Sequence, residues 1–173
     1  MIGRYSKQVL YKEPLLLFHQ QPDGKLKNVS ADGGTVFQQF FPARGLAVGD
    51  YDNNGALDVV VMNNGGAPLL LRNNAALGNH WLGLKLEGVT CNRDAIGARV
   101  TWKAGGKVRH CMKNSGGSYL SSHDPRLVLG IGSATVMDEL EIHWPAPSKR
   151  IDTLKNIAPD RYLHVIEGKG SPS

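Results

Sequence analysis

The chain of 173 residues is short of several things, and each shortage removes a class of function. Its longest uninterrupted apolar run of early sequence, "PLLLF" at 14–18, falls far below the roughly 18 residues that a bilayer span needs, so no membrane span is expected. Clustered charge is missing too. Twenty Lys and Arg against fifteen Asp and Glu give a net +5 and a pI near 9.3, but the basic residues are spread without a dense block. With no RNA-binding aromatic motif, helix-turn-helix or zinc-finger spacing, that pattern describes a solvated basic surface, and nucleic acid is not an expected partner. Only two cysteines occur, Cys91 and Cys111, with no CxxC pairing; they read either as one disulfide or as two buried thiols. The opening "MIGRYSKQVLYKEP" has no apolar core and no small-residue cleavage site. No signal peptide is visible, and an exported form would be a longer chain or one that has lost its leader. No window of about 12 residues holds a helical period.

What is present is turn punctuation. Twenty-one glycines and nine prolines punctuate the chain about every eight to twelve residues, a spacing that favours an all-β protein. Alternation marks the strands. Leu82, Leu84 and Leu86 share one face of 81–88, and Ala98, Val100 and Trp102 share one face of 97–104. Gly105-Gly106 then turns the chain into 107–114 as a β-hairpin. The same reading takes 126–132, 139–144 and 161–168, the last with Leu163 and Val165 on one side and Tyr162, His164 and Ile166 on the other. Short helical turns are the reading for 152–160.

The first 75 residues have a different texture, with apolar runs at 14–18, 46–48, 57–64 and 68–74 in place of alternation. Continuous apolar strands are expected to be buried on both faces, as in stacked or radial sheets. "PLLLFHQQPDGKLKNVS" (14–30) and "PLLLRNNAALGNHWLGL" (68–84) echo each other at a separation that propeller blades give. A boundary is expected at 73–80, dividing a region of blades, 1–76, from a second β-domain, 77–170.

The densest chemistry lies in "GDYDNNGALDVVVMNN" (49–64). Counted from Asp50 it reads D-x-D-x-N-G-x-x-D: Asp50, Asp52, Asn54, Gly55, Asp58. Alternate positions offer oxygen, and the glycine permits the turn that brings them to one point. Ca2+ takes about six to eight oxygens, backbone carbonyls included, and Ala56 is placed to give a carbonyl. The expected metal ligands are therefore Asp50, Asp52, Asn54, Ala56 and Asp58. A helix-flanked EF-hand would need glutamate where Val61 stands and a helix where "VVV" makes a strand. The alternative is an Asx turn in which these side chains bond their own backbone. Three carboxylates brought this close repel one another without a cation.

"RGLAVGDYDNNGALDVVVMNNGGAPLLLRNN" resembles the FG-GAP or VCBS repeat of β-propellers. The remainder of the chain resembles the ASPIC/UnbV domain of cartilage-acidic-protein-like proteins, through "GNHWLGLKLEG" (78–88), "NRDAIGARVTW" (92–102), "GGSYLSSHDPRLVLGIG" (116–132), "DELEIHWP" (138–145) and "IAPDRYLHVIEG" (157–168). The resemblance implies the C-terminal part of a larger extracellular or periplasmic protein, in which partial propeller blades precede an antiparallel β-sandwich-like domain. It also implies calcium at Asp50, Asp52, Asn54, Ala56 and Asp58, and a role in adhesion or matrix binding with no shared catalytic centre. The sequence departs from the pattern where "LVLGIG" replaces a more usual His and Phe. Too few blades are present to close a propeller, so the open blade edges are expected to be covered by the second domain or by another copy of the chain.

Two further clusters offer ligand contacts. Arg93 and Asp94 sit in "NRDAIGARV", where an Arg–Asp pair locking a turn is the structural reading. Ser122, His123 and Asp124 have the residue types of a hydrolytic triad, but consecutive residues point apart and there is no G-x-S-x-G elbow. Trp81, Trp102 and Trp144 read as core rather than as a sugar platform. The expected function is a non-enzymatic, calcium-binding extracellular module for a protein or carbohydrate ligand. The alternative is a hydrolase or transferase acting on a carbohydrate or small metabolite through Asp94, His123 or Asp124.

Overall fold

A computed structural model describes residues 10–74 and 78–169. It is nearly all β, with 48% strand and 4% helix, and none of its sheets closes on itself. The described residues divide into two compact units: residues up to Gly45 with Val61–Leu69, and Leu46–Val60 with residues from Leu70 onward. The expected boundary at 73–80 falls partly on 75–77, outside the described residues.

In the first unit, β1 (Glu13–Pro14) pairs antiparallel with β4 (Phe40–Phe41), and β2 (Phe18–Gln20) forms a hairpin with β3 (Leu26–Asn28). Two 3-10 turns, Ser30–Asp32 and Thr35–Gln38, come after the hairpin. The expectation of strands buried on both faces fails here. Leu16 is 59% and Phe18 50% exposed. Pro14 lies at the end of β1, the leucines after it make no ladder, and β2 has only three residues, too few to present a face that another layer would cover.

β5 (Ala43–Gly49), β6 (Asp58–Asn63) and β7 (Leu69–Leu71) make a three-stranded sheet in that order. The long connection between β5 and β6 is the acidic loop.

The second unit holds the principal core. β8 (His80–Glu87), β9 (Arg99–Ala104), β10 (Lys107–Met112), β11 (Gly117–Ser118), β12 (Ser121–Ser122), β13 (Leu127–Gly132), β14 (Met137–His143), β15 (Ile151–Ile157) and β16 (Arg161–Ile166) succeed one another along the chain. One sheet runs β10-β9-β14-β15, all antiparallel; another runs β13-β8-β16, with β16 parallel to β8. The alternating residues do what their period requires. Leu82, Leu84 and Leu86 of β8, Leu163 and Val165 of β16 and Leu129 and Ile131 of β13 pack with Val100, Trp102, Leu140, Ile142 and Leu154 of the other sheet. The two sheets thus share one core, as in a sandwich.

Gly105 and Gly106 have φ of +55° and +72° between the paired Ala104 and Lys107. That is the two-residue turn that matches strand twist, and glycine takes it without strain. The reading of 152–160 as helical turns is corrected by β15, which pairs antiparallel with β14 from Met137↔Ile157 to His143↔Ile151. Its Asp152, Leu154 and Ile157 are buried. The inward aspartate concealed the alternation: the Asp152 carboxylate accepts from Trp144 Nε1 at 2.9 Å, Arg150 Nε at 2.6 Å and the Gly168 amide at 2.9 Å. Burial would raise that carboxyl, and the amide, the guanidinium and the indole together hold it below its ordinary value. Cys91 and Cys111 are both free thiols.

Candidate cation loop and its surroundings

The acidic loop is built from the strand ends that flank it. Asp50 comes directly after the last residue of β5 and Asp58 is the first of β6, and the two residues are 1% and 2% exposed. Gly55, at φ +84°, makes the turn; a Cβ there would lie 2.2 Å from the Trp81 ring, so the indole rests against the loop backbone. Asp50, Asp52 and Asp58 each offer a carboxylate oxygen, and these atoms lie within 4.8 Å of one another.

Backbone and side-chain donors hold the loop in shape. Asp50 Oδ1 accepts from the Asn54 amide at 3.0 Å and Oδ2 from the Gly55 amide at 2.8 Å. Asp58 accepts from the Tyr51 and Asn73 amides at 3.2 and 2.8 Å. Asn54 Oδ1 takes the Ala56 amide at 2.7 Å, an Asx turn of the kind the residue types favour. Arg72 reaches Asp52 Oδ2 with Nε at 3.0 Å and Nη2 at 2.7 Å. The other oxygen, Asp52 Oδ1, is buried and has no hydrogen-bond partner. Of the three carboxylates Arg72 contacts only that of Asp52, and a buried acceptor is left unsatisfied where the three converge. That donor set, all oxygen, fits a hard divalent cation.

Of the expected ligands, the structure brings together Asp50, Asp52 and Asp58. The side-chain oxygen of Asn54 is turned to the Ala56 amide, and Ala56 enters the geometry as the donor of that bond.

The loop is fixed from outside by residues that the sequence does not point to. Tyr162 of β16 donates its hydroxyl to Asp50 Oδ2 at 2.7 Å. Burial and the Asp50 carboxylate both push the Tyr162 phenol upward, so it stays a donor. The Arg126 guanidinium lies over the Tyr162 ring, 4.3 Å from its centroid, and donates to the Asp50 carbonyl at 2.7 Å. Trp81 meets Tyr162 edge-on at 5.1 Å between centroids. Gly83 is glycine because a Cβ would meet the Tyr162 ring at 2.2 Å. Alternation along β16 puts Tyr162 on the face opposite Leu163 and Val165, and that face is where it reaches Asp50.

The other candidate residues are spread. Asp124 is clasped by Arg126, with Nη2 at 2.6 Å and Nε at 3.0 Å. Burial would raise its carboxyl, and the Arg126 side-chain and amide bonds hold it below its ordinary value instead. His123 Nδ1 accepts the Val48 amide at 3.2 Å, which puts the neutral ring's proton on Nε2. The Asp124 amide donates to the Val48 carbonyl at 2.9 Å. Ser122 Oγ is directed to the His123 carbonyl, 3.5 Å away. These three consecutive residues therefore make separate contacts rather than a relay. Arg93 pairs with Glu87 at 3.3 Å, not with Asp94. The turn there is held by Asn92, whose side chain exchanges two hydrogen bonds of 2.8 Å with Ile96.

These features define an all-β protein with an acidic strand-to-strand loop set against a two-sheet domain. Residues 88–172 match the family described as ASPIC and UnbV, and an ASPIC/UnbV domain is found in that segment. The match begins after the acidic loop. No curated protein matches the chain.

Proposed function

We propose that the protein is a calcium-binding, non-enzymatic β-protein acting as an extracellular or periplasmic binding and adhesion module, in which the cation stiffens the loop between β5 and β6. The observation that carries the reading is the convergence of Asp50, Asp52 and Asp58 within 4.8 Å, with Asp52 Oδ1 buried and unpartnered. Asn54 and the Ala56 carbonyl would complete the oxygen set after a local turn of the loop. The FG-GAP/VCBS reading of 1–76, the cartilage-acidic-protein-like assignment and the location rest on the sequence resemblance. The family matched at 88–172 is not a known catalytic one, and His123 and Asp124 are both committed to structural partners. The partner is a protein or a carbohydrate, and a second copy of the chain covering open sheet edges belongs to the same proposal.

The amides that already hold Asp50 and Asp58 make the cation a stabiliser of a preformed loop, not a condition for folding. Calorimetric titration with CaCl2 should show one site, and EDTA should lower Tm without unfolding the protein, since a ligand bound only to the folded state stabilises it by RT ln(1 + [L]/Kd). The Asp52→Asn variant should lose binding heat and the Tm response together. Absence of both heat and Tm shift in the wild type would falsify the reading.

A further inference from the structure

A cavity of about 270 Å³ opens beside the acidic loop within the second unit, and Lys113 lines it with Trp102, Met112, Leu127, Leu129 and Arg126. Lys113 comes directly after β10 and is only 5% exposed. Its backbone is held on both sides, the amide donating to the Ala98 carbonyl and the carbonyl accepting from the Gly97 amide, each at 2.8 Å. Its ammonium has no hydrogen-bond or ion-pair partner among the described residues. Most of the residue is covered, and a lysine this covered is normally paired.

The other polar groups around the cavity are already engaged. Arg126 spends its guanidinium on Asp124, Asn53 and the Asp50 carbonyl. The Trp102 indole donates to the Gly130 carbonyl at 3.2 Å, so its polar end is satisfied and its ring offers apolar surface. His123 is bound to Val48 through Nδ1. Burial pushes the Cys111 thiol upward, which keeps it neutral and part of the apolar wall. Asp94 and Asp124 act on the Lys113 ammonium from beyond ion-pair distance; Asp124 is neutralised by Arg126, and Asp94 is exposed to solvent. Asp50 lines the cavity as well, its carboxylate taken up by the Asn54 and Gly55 amides and the Tyr162 hydroxyl; Lys113 is thus the cation without an ion pair among the described lining residues, beside an apolar wall, and its complement is one anion on an apolar body.

We propose that this cavity is a binding site for a small carboxylate with an apolar, ring-sized or short-chain body, its carboxylate on Lys113 and its body against Trp102, Leu127 and Leu129. The volume lies below the range of drug-sized pockets, which sets the ligand at the scale of benzoate or a short fatty acid. A monoanion suits a single ammonium better than a phosphate would, because the neighbouring guanidinium has one of its five N–H groups left and cannot offer the two-pronged planar fork that phosphate recognition uses.

Asp50 belongs both to the cavity lining and to the calcium reading, so the test is run in EDTA, where binding of the carboxylate is read without a cation and the two readings fail separately. Sodium benzoate and benzyl alcohol, alike in shape but not in charge, would be titrated into the wild-type protein, with tryptophan fluorescence and saturation-transfer NMR as readouts. Benzoate should bind at least about tenfold tighter than benzyl alcohol, with intermolecular NOEs to the Lys113 side chain and the Trp102 ring. Lys113→Met, which keeps the stem and removes the charge, should abolish the preference while leaving benzyl alcohol affinity within about twofold. Equal binding of the two probes, no binding of benzoate, NOEs to other residues, or a preference that survives Lys113→Met would each overturn the proposal. The wild-type comparison and its NOEs stand without the variant, so a failure of Lys113→Met to fold would not shield the idea.

Discussion

The β2–β3 hairpin and the two-sheet domain of β8 to β16 are built from similar apolar residues and treat them in opposite ways. Leu16, Leu17, Phe18 and Leu26 are all more than two-fifths exposed, whereas Leu82, Leu84, Leu140 and Ile142 are fully buried. Content is not the difference; period is. In β8, β9, β13 and β16, every second residue on one face is apolar over six to eight positions and the strands are long enough for that face to meet another sheet. Leading into the hairpin, the leucines are consecutive and lie before β2, and the ladder itself has three rungs, so no face accumulates. Stability in the two regions should therefore come from different sources, and substitutions can test that directly.

The largest effect is expected in the sandwich core. Leu140 of β14 pairs with Trp102 on one side and Leu154 on the other and has no exposed surface. Leu140→Ala removes packed atoms from both sides and should cost about 2–5 kcal/mol in a urea unfolding series. A loss under about 1 kcal/mol would mean that the domain is not packed as two sheets on one core.

The next effect tests how the acidic loop is attached. Gly55→Ala places a Cβ at 2.2 Å from the Trp81 ring and asks a left-handed φ of alanine. The indole must leave the loop or the backbone must change, at a cost of about 2 kcal/mol or more, read in thermal melts together with altered tryptophan fluorescence. An unchanged melt would detach the loop from the domain's framework. Asp50, Tyr162 and Arg126 would then be neighbours without consequence.

Much of this is readable from the residues alone, and the boundary of legibility has a physical origin. Alternation exposes β8, β9, β13, β14 and β16, because burial on one face leaves a period of two in the sequence, and the Gly105-Gly106 turn exposes β10. It misses β15, because Asp152 occupies an inward position and is satisfied there by Trp144, Arg150 and Gly168. A buried charge with three partners looks like a surface residue until the partners are seen. In the loop, the residue types and the Gly55 turn announce the three converging aspartates. Tyr162, more than a hundred residues further on, and Arg126 are invisible as loop supports, since a contact made across the fold leaves no local spacing to detect. Lys113 is hidden for the same reason: a lysine is read as solvated unless a neighbouring strand is known to cover it.

A smaller, pH-dependent contribution separates the regions again. Glu167 just beyond β16 accepts the Val89, Thr90 and Cys91 amides at 2.7, 2.7 and 3.1 Å through one oxygen. Burial would raise its carboxyl, but the Ser148 hydroxyl and these amides hold it down at about 2, from an ordinary value of 4.5. A carboxyl depressed in the folded state contributes stability that is complete above its unfolded value and is lost as pH falls toward the folded one. Stability should therefore be level above about pH 5 and decline between about pH 4.5 and 2. Asp124 and Asp152, shifted in the same direction, add to the decline. Glu167→Gln should flatten part of that slope in denaturation curves taken from about pH 6 to 2; an unchanged slope would remove Glu167 as the strut of the 89–91 turn.

The smallest effect carries the sharpest test of the comparison. Leu16 is 59% exposed and lies outside any strand, so Leu16→Ser removes little apolar surface from water-shielded contact and should change stability by less than about 0.5 kcal/mol. The measurement should be made at two protein concentrations. If the wild type melts higher when concentrated and the serine variant does not, the exposed leucines are covered by a second copy of the chain. The hairpin would then obtain from association the burial that its short ladder cannot supply, and the contrast with the sandwich would be one of partner rather than of kind. If neither protein responds to concentration and the substitution is silent, the leucines stand in water, and period alone separates the two regions.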